Sequence, residues 1–391
     1  MSSPHDNAER FFAQLRALTT VRSPRLDESA RDALFDHVTR MIYSADVLDD
    51  PRARALIAEE FRAVELDWDS VMTRTLKRLQ DQIERTAIAR VDGVDLGARR
   101  PVIGHLHTGQ LNATSMRVPG DAGGYLVLFE DQMTLFASLI SDAVGSVIPS
   151  GRMDAGGLFT YRLDRSELAD RALADTSMIA NFMSIIATYA AEGRFNSIKA
   201  TALTSNVGLM LQLSLMTFVI AHEYAHVIHG HLDAPATPKG VLHGTDAETL
   251  AYSWRQEIQA DHTGMILAVH AGIEHAKRDI ASSFLGICLF FDVLDLMDRA
   301  VSLLETGDEE ARKLGSHPPP HVRKELLRGQ MSRTFGTARG VPERVAIALE
   351  SANVQSALIN AMWEPTRGFL LDLRSQGVRP ARMWRTVPKN G

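Results

Sequence analysis

The stretch Met216-Thr-Phe-Val-Ile-Ala-His-Glu-Tyr-Ala-His-Val-Ile-His-Gly230 decides the expected fold. Its apolar first half is typical of a helix with a buried face, and a glycine such as Gly230 commonly ends a helix. The pattern predicts a long helix from about residue 206 to 229. Because residues four apart share one face of a helix, the imidazoles of His222 and His226 are expected to point the same way.

Two histidines in this arrangement are typical of a metal site. Zn²⁺ binds neutral imidazole nitrogens in tetrahedral geometry, and a catalytic site leaves one position open for water. Glu223 directly follows the first histidine, which puts its carboxylate beside that water as the expected general base. The alternative is a surface helix with incidental histidines. We predict that His222 and His226 are zinc ligands.

The segment Glu257-Ile-Gln-Ala-Asp261 supplies the predicted third ligand. It lies in the next predicted helix, which starts at the capping box Thr245-Asp-Ala-Glu248 and is expected to end near Gly272. A carboxylate at Glu257 completes a set of two histidines and one glutamate. Asp261, one turn further on, is expected to accept a hydrogen bond from the non-ligating N–H of His222. The alternative is that both acids belong to a solvated face.

His229 and His231 compete with Glu257 for the third position. The longer spacing HExxHxxGxxH is absent, since residue 229 is His and residue 232 is Leu. His231 lies beyond the predicted helix end, and His229 is expected to stabilise the helix C-terminus as a cation. Glu257 is therefore the favoured third ligand.

Three segments of this chain resemble the motif series of a known group of metallopeptidases. They are His222-Glu-Tyr-Ala-His226, Glu257-Ile-Gln-Ala-Asp261 and Ser316-His-Pro-Pro-Pro-His-Val-Arg323. The series is similar to the HExxH, ExxAD and S-x-HP elements of the HtpX and CaaX-prenyl-protease gluzincins. The resemblance covers about residues 105–330 and is strongest at the first two motifs. It implies that Glu257 is the third zinc ligand.

The resemblance also implies roles for residues outside the two main motifs. His317 becomes a stabiliser of the tetrahedral oxyanion, Arg323 an organiser of the site, and Asn112 with Ala113 part of a substrate-binding edge strand. The competing interpretation of residues 316–320 is a turn that leads into the next helix. Family members are commonly embedded in membranes, and Gln259 replaces their frequent second glutamate. The chain is therefore more similar to a soluble, divergent gluzincin, with the Lit-type peptidases as a further comparison.

The rest of the sequence predicts a mainly α protein with a small β element, an α+β fold around a zincin-like core. We expect a helical N-terminal region at 1–99, a metallopeptidase domain at 100–335 with a helical insertion at about 130–205, and a helical C-terminal region at 336–391. Glycines and prolines bound short strand-like runs at 115–118 and 125–129. Further helices are predicted at 30–43, 54–64, 71–88, 131–143, 164–191, 279–305, 320–329 and 343–362.

Composition narrows the possible partners and compartments. The 391 residues carry 42 Lys and Arg against 48 Asp and Glu, and this acidic balance argues against a nucleic-acid partner. The one cysteine excludes an intramolecular disulfide and suits a reducing compartment. The polar N-terminus lacks the apolar stretch of a secretory signal. The apolar runs 207–221 and 281–297 contain polar or charged residues and are short for a membrane span. We expect a cytoplasmic protein without a transmembrane segment.

The expected function is zinc-dependent hydrolysis of peptide bonds in a protein or peptide substrate. One alternative is a catalytically inactive zinc module that binds other proteins. Glu223 argues against it, since a structural zinc site needs no base and is normally closed by four protein ligands. The other alternative is a protease held latent by the flanking helices. The sequence carries no indication of the oligomeric state.

Overall fold

A computed structural model describes residues 3–19, 50–52, 55, 68–91, 94, 96–109, 111–119, 123–148, 152–153, 159–160, 168, 171, 174–194, 206–233, 247–312, 317–336 and 341–381. The predicted helix at 30–43, nearly all of the one at 54–64, and residues 164–167 and 245–246 of the capping boxes lie outside these ranges. Within them the protein is mainly helical with a small sheet, as predicted.

Within the described ranges, a three-stranded sheet follows the helices that end at Thr19 and Arg90. Its middle strand runs parallel to the first and antiparallel to the second, so among the described strands the second one lies at an edge. This arrangement places an edge strand at the predicted position, because Ala113 begins it opposite Phe129. The elements are α1 (Pro4–Thr19), α2 (Trp68–Arg90), a 3-10 turn (Gly97–Arg99), β1 (Val102–Leu106), β2 (Ala113–Arg117) and β3 (Tyr125–Glu130).

Seven further helices and a short strand pair follow. They are α3 (Asp131–Gly145), β4 (Arg152–Met153), β5 (Phe159–Thr160), α4 (Thr176–Glu192), α5 (Asn206–Ile228), α6 (Ala247–Ala276), α7 (Ile280–Thr306), α8 (Pro320–Phe335) and α9 (Pro342–Ser375), counted over the described ranges. The N-cap of α4 is Asp175, whose side chain accepts a hydrogen bond from the Met178 N–H at 2.9 Å. The helix predicted at 164–191 is therefore interrupted at Asp175.

The predicted end of α6 at Gly272 is wrong, since the helix continues to Ala276. A Cβ atom on Gly272 would lie 2.2 Å from Ser283 Oγ. The glycine therefore allows α6 and α7 to pack closely. From the sequence alone, a glycine needed for close packing looks the same as a glycine that ends a helix. The helices α8 and α9 likewise run past their predicted ends, α9 through Pro365.

Helix α5 lies in the centre of the molecule. Nearly every side chain from Val207 to Val227 is buried, so the helix is apolar on all sides until it reaches its histidines. It packs against α3, α6 and α7. A Cβ atom on Gly264 of α6 would lie only 2.9 Å from His222 N and 3.0 Å from its Cα. This contact fixes α6 directly against the first histidine.

One hydrophobic core runs through the described parts of all three predicted regions. It contains Met72 of α2, Phe218 of α5, Phe284 of α7 and Trp363 of α9, each nearly inaccessible to solvent. Helix α9 packs along α7, which packs against α5, so the C-terminal region shares its core with the helix that carries the two histidines.

Among the described helices, α5 and α7 are long and apolar enough to cross a membrane by length and composition. In both, 83% of the most apolar stretch is buried inside the protein. Core helices of globular proteins also have these properties, so the absence of a membrane span stays a prediction.

Candidate metal centre and adjoining cavity

Helices α5 and α6 bring together three potential metal ligands. His222 and His226 lie one turn apart on α5, with their Nε2 atoms 3.2 Å from each other. Glu257 on α6 places Oε2 at 3.5 Å from His222 Nε2 and Oε1 at 3.6 Å from His226 Nε2. All three side chains are buried, and their ligand atoms lie within 4.8 Å of one another. This group could hold a metal ion.

Glu257 has an unusual environment for a buried carboxylate. Its Oε2 atom is shielded from solvent and accepts no hydrogen bond within the described part of the chain. Buried polar atoms of this kind are uncommon and call for a partner such as an ion. Burial raises the pKa of Glu257, but the neighbouring imidazole of His222, followed by the charges of His317 and Arg323, outweighs burial and lowers it. The carboxylate therefore stays ionised.

The support of His222 is a buried acid. Asp261 Oδ1 lies 3.0 Å from His222 Nδ1, where the sequence spacing predicts it. Both Asp261 oxygens accept hydrogen bonds from Arg323, Nε to Oδ2 and Nη2 to Oδ1, each at 2.7 Å. Arg323 Nη2 also lies 3.4 Å from Glu257 Oε2. Arg323 therefore lies near the three potential ligands, and its main contact is Asp261, the acid behind His222.

This acid changes the protonation of the first histidine. Burial lowers the pKa of His222, but its contacts with Asp261 and Glu257 outweigh burial and raise the pKa to about 10. Burial also raises the pKa of Asp261, and the charge and hydrogen bonds of Arg323 reverse that shift. Without a metal, the His222 ring therefore holds a second proton, and a metal ion has to displace it.

Glu223 lies beside the three ligands without belonging to them. Its carboxylate is buried and accepts hydrogen bonds from the backbone N–H and the hydroxyl of Ser115 in β2. Burial raises the pKa of Glu223, and the charge of His222 and the Ser115 bonds offset only part of that rise. The carboxylate is therefore a stronger base than an exposed glutamate.

The other histidines of the motif do not join the ligand group. His231 lies behind His226, with the two Nδ1 atoms 2.9 Å apart. His229 bonds to Gln259 and Thr263 of α6, so its predicted role as a cap of the α5 C-terminus is wrong. Gly230 performs that role, because its φ of +68° lets the chain reverse and cover the last carbonyls.

A cavity of about 530 Å³ opens onto the candidate centre. This volume is in the range of small-ligand and peptide-side-chain pockets. Its wall includes Asn112, Ala113, Glu223, His317 and Arg323, which are five of the sequence-predicted site residues. His317 is 54% exposed and places Nε2 at 3.4 Å from Glu257 Oε1. The apolar part of the wall includes Leu111, Met133, Val219, Phe290, Leu294 and the prolines at 318–320.

Sequence reasoning missed the supports that come from outside the motifs. Ser115 contacts Glu223, and Glu84 of α2 accepts a 2.9 Å hydrogen bond from the Tyr224 hydroxyl. The acid Glu84 is itself paired with Arg100. No spacing in the sequence connects these residues to the HExxH motif, since each comes from a distant element.

No protein family, curated protein or solved structure matches this chain. The resemblance to gluzincins is therefore carried by its short motifs alone.

Proposed function

We propose that this protein is a zinc-dependent endopeptidase of the gluzincin type. His222, His226 and Glu257 are the proposed zinc ligands, and Glu223 is the proposed general base. One observation carries the proposal. The buried carboxylate of Glu223, which is not one of the three ligands, faces the same cavity as the ligand group, and this cavity leaves room for a fourth ligand on the metal.

The ligand distances support zinc. Bonds of 2.0–2.1 Å in a tetrahedral site separate neighbouring ligand atoms by about 3.3 Å. The two Nε2 atoms are 3.2 Å apart, and the Glu257 oxygens lie at 3.5 and 3.6 Å from them. Two imidazoles and one carboxylate are also a known set for catalytic zinc. When bound, zinc would supply Lewis acidity to a peptide carbonyl and lower the pKa of a water molecule.

Glu223 is suited to move the proton of the attacking water. Its raised pKa brings the carboxylate closer to neutral pH, where a general base works best. The two bonds from Ser115 hold the side chain in place. The carboxylate takes one proton as the water oxygen bonds to the carbonyl carbon. It then gives this proton to the leaving nitrogen as the C–N bond breaks, so the products are a carboxylic acid and an amine.

The edge strand supports an extended peptide as substrate. Asn112 O and Val118 N bond to Glu130 N and Gly124 O, so the even-numbered residues of this strand pair with β3. The main-chain groups of Ala113 and of the odd-numbered residues after it then point away from the sheet, and the N–H of Ser115 among them bonds to Glu223. Residues 111–113 line the cavity, where a peptide could pair with the edge as an added strand. His317 lies beside Glu257, where it could donate to a developing oxyanion.

The Glu223→Gln variant tests this proposal. Glutamine keeps the shape but cannot accept the proton, so cleavage of a diverse peptide library should fall by about 10²–10⁴-fold. Zinc content should stay near one per chain in metal analysis, since Glu223 is not a ligand. Glu364→Gln is the matched control, because Glu364 is exposed on α9, outside the cavity.

Two outcomes would contradict the proposal. Cleavage by Glu223→Gln at the wild-type rate would remove Glu223 as the base, and loss of zinc would make it a ligand. Mass-spectrometric detection of new protein N-termini in cells, wild type against variant, then identifies the substrates. A wild type that binds zinc and cleaves nothing would favour a metal-dependent binding module.

A further inference from the structure

The end of helix α5 brings an unusual partner to the second histidine. Gly230 adopts φ +68°, its N–H bonds to Val227 O at 3.1 Å, and the His231 N–H bonds to His226 O at 3.0 Å. These two bonds define a Schellman motif, in which the residue after the glycine folds back over the residue five positions earlier. That contact is usually between apolar side chains. Here it is between His231 and His226.

A chain of hydrogen bonds continues from this contact into α6. His231 Nε2 lies 3.0 Å from Gln259 Oε1, and Gln259 Nε2 lies 3.1 Å from His229 Nδ1. The chain ends where His229 Nε2 meets Thr263 Oγ1 at 2.8 Å. Four side chains beyond His226 are thus connected in series.

The proton positions in this chain have one consistent direction. A ligand His226 keeps Nε2 without a proton, so its Nδ1–H donates to His231 Nδ1. His231 then carries its proton on Nε2 and donates to the Gln259 carbonyl oxygen, an acceptor. The Gln259 amide nitrogen donates to His229 Nδ1, and His229 Nε2–H donates to Thr263. The opposite direction puts the proton on His226 Nε2 and requires the Gln259 amide to turn over.

We propose that His231, oriented by Gln259, is a positioning residue that holds His226 in the tautomer that binds metal. The proposal rests on the metal centre of the proposed function. His231 is not a ligand in it, because it contacts the nitrogen of His226 that points away from the ligand group. Partners that orient a ligand histidine typically contribute 10- to 100-fold in metal affinity.

Zinc affinity tests this role without a need for activity. In competition with a chelator of known affinity, His231→Ala should bind zinc about 10–100-fold more weakly than the wild type. His231→Gln should recover most of the loss, because its carbonyl oxygen can accept from His226. Gln259→Leu should show a similar loss, and the double variant of His231→Ala and Gln259→Leu should lose little more than either single one. His262→Ala is the control, since His262 is a half-buried histidine of α6 that bonds instead to Thr334.

Two measurements separate positioning from folding. The denaturation midpoint of the metal-free protein reports on folding, and ¹⁵N NMR of the zinc-loaded protein reports the His226 tautomer. We expect a proton on His226 Nδ1 in the wild type. Two results would overturn the positioning role and leave the enzyme proposal intact. One is an unchanged zinc affinity in His231→Ala. The other is a loss of affinity that follows the denaturation midpoint and is not recovered by His231→Gln. A wild type that binds no zinc would overturn both.

Discussion

The two histidines of the candidate centre are one helical turn apart, yet their supports are opposite in character. Behind His222 stands an ionised acid, Asp261, held by a buried arginine. Behind His226 stands a neutral ring, since burial lowers the pKa of His231. An anion makes an imidazole more basic, whereas a neutral acceptor only orients it. The two ligand histidines are therefore held in different ways. Substitutions and changes of pH should affect the surroundings of His222 differently from those of His226.

Removal of the charge behind His222 should have the largest effect. Asp261→Asn leaves Arg323 buried without its main anionic partner, a change that costs about 3–5 kcal/mol in comparable buried pairs. Zinc affinity should also fall by about 10–100-fold. Urea denaturation and chelator competition measure the two effects.

An exposed pair gives the control for this substitution. Asp233 bonds to Arg99 with 31% and 45% of the side chains exposed, so Asp233→Asn should cost no more than about 1 kcal/mol. If Asp261→Asn is no more harmful than Asp233→Asn, the acid does not support the centre and the two histidines are held alike.

The pH dependence of the metal-free protein tests the raised pKa of His222. A group whose pKa rises on folding, here from 6.5 to about 10, stabilises the fold fully below its unfolded pKa, and this stability is lost as pH rises through the folded pKa. The free energy of unfolding in chelator should therefore fall between pH 6.5 and 10, by an amount on the order of a few kcal/mol. Zinc-loaded protein should lose metal as pH falls, because protons compete for the ligands.

The Asp261→Asn variant sharpens this measurement. It removes one of the three acids that raise the pKa of His222, so the stability of the metal-free variant should depend less on pH between 6.5 and 10. Metal-free wild type whose stability increases with pH over this range would contradict a charged His222.

A change of shape without a change of charge should have the smallest effect of the three. Gly264→Ala adds a Cβ atom 2.9 Å from His222 N, so α6 has to move away from the first histidine. Overpacking of this kind costs about 1–3 kcal/mol. Zinc affinity should fall as well, because Glu257 and Asp261 both move with α6.

Gly368→Ala is the matched control for this glycine. It lies exposed in α9 with nothing within 4 Å of its added Cβ, so the change should be neutral or stabilising by up to about 1 kcal/mol. Equal effects of the two substitutions on zinc affinity would mean that the close approach at Gly264 is dispensable.

Sequence spacing was sufficient for the parts of the site that lie on one helix. The period of the helix places His222 and His226 on one face, and it places Asp261 one turn from Glu257 on α6. The same local rules predicted the mainly helical fold and short strands near 115–118 and 125–129, whereas the edge strand at Ala113 was implied by the resemblance to gluzincins. These features depend on contacts three to five residues apart, or on the alternation within a strand.

The supports around that site were decided only by tertiary structure. Gly272 could end α6 or allow α7 to pack closely against it, and the position of Ser283 decides between the two. The N-cap of α4 at Asp175 was likewise not apparent from helical periodicity. The chain of bonds that begins at His231 needs the αL turn of Gly230 and the face of α6 at the same time. A sequence motif determines which side chains share one face of a helix. The partner of the non-ligating Nδ1 atom of each histidine depends on packing between helices and on the turn after α5, because helical spacing within one element does not specify these contacts.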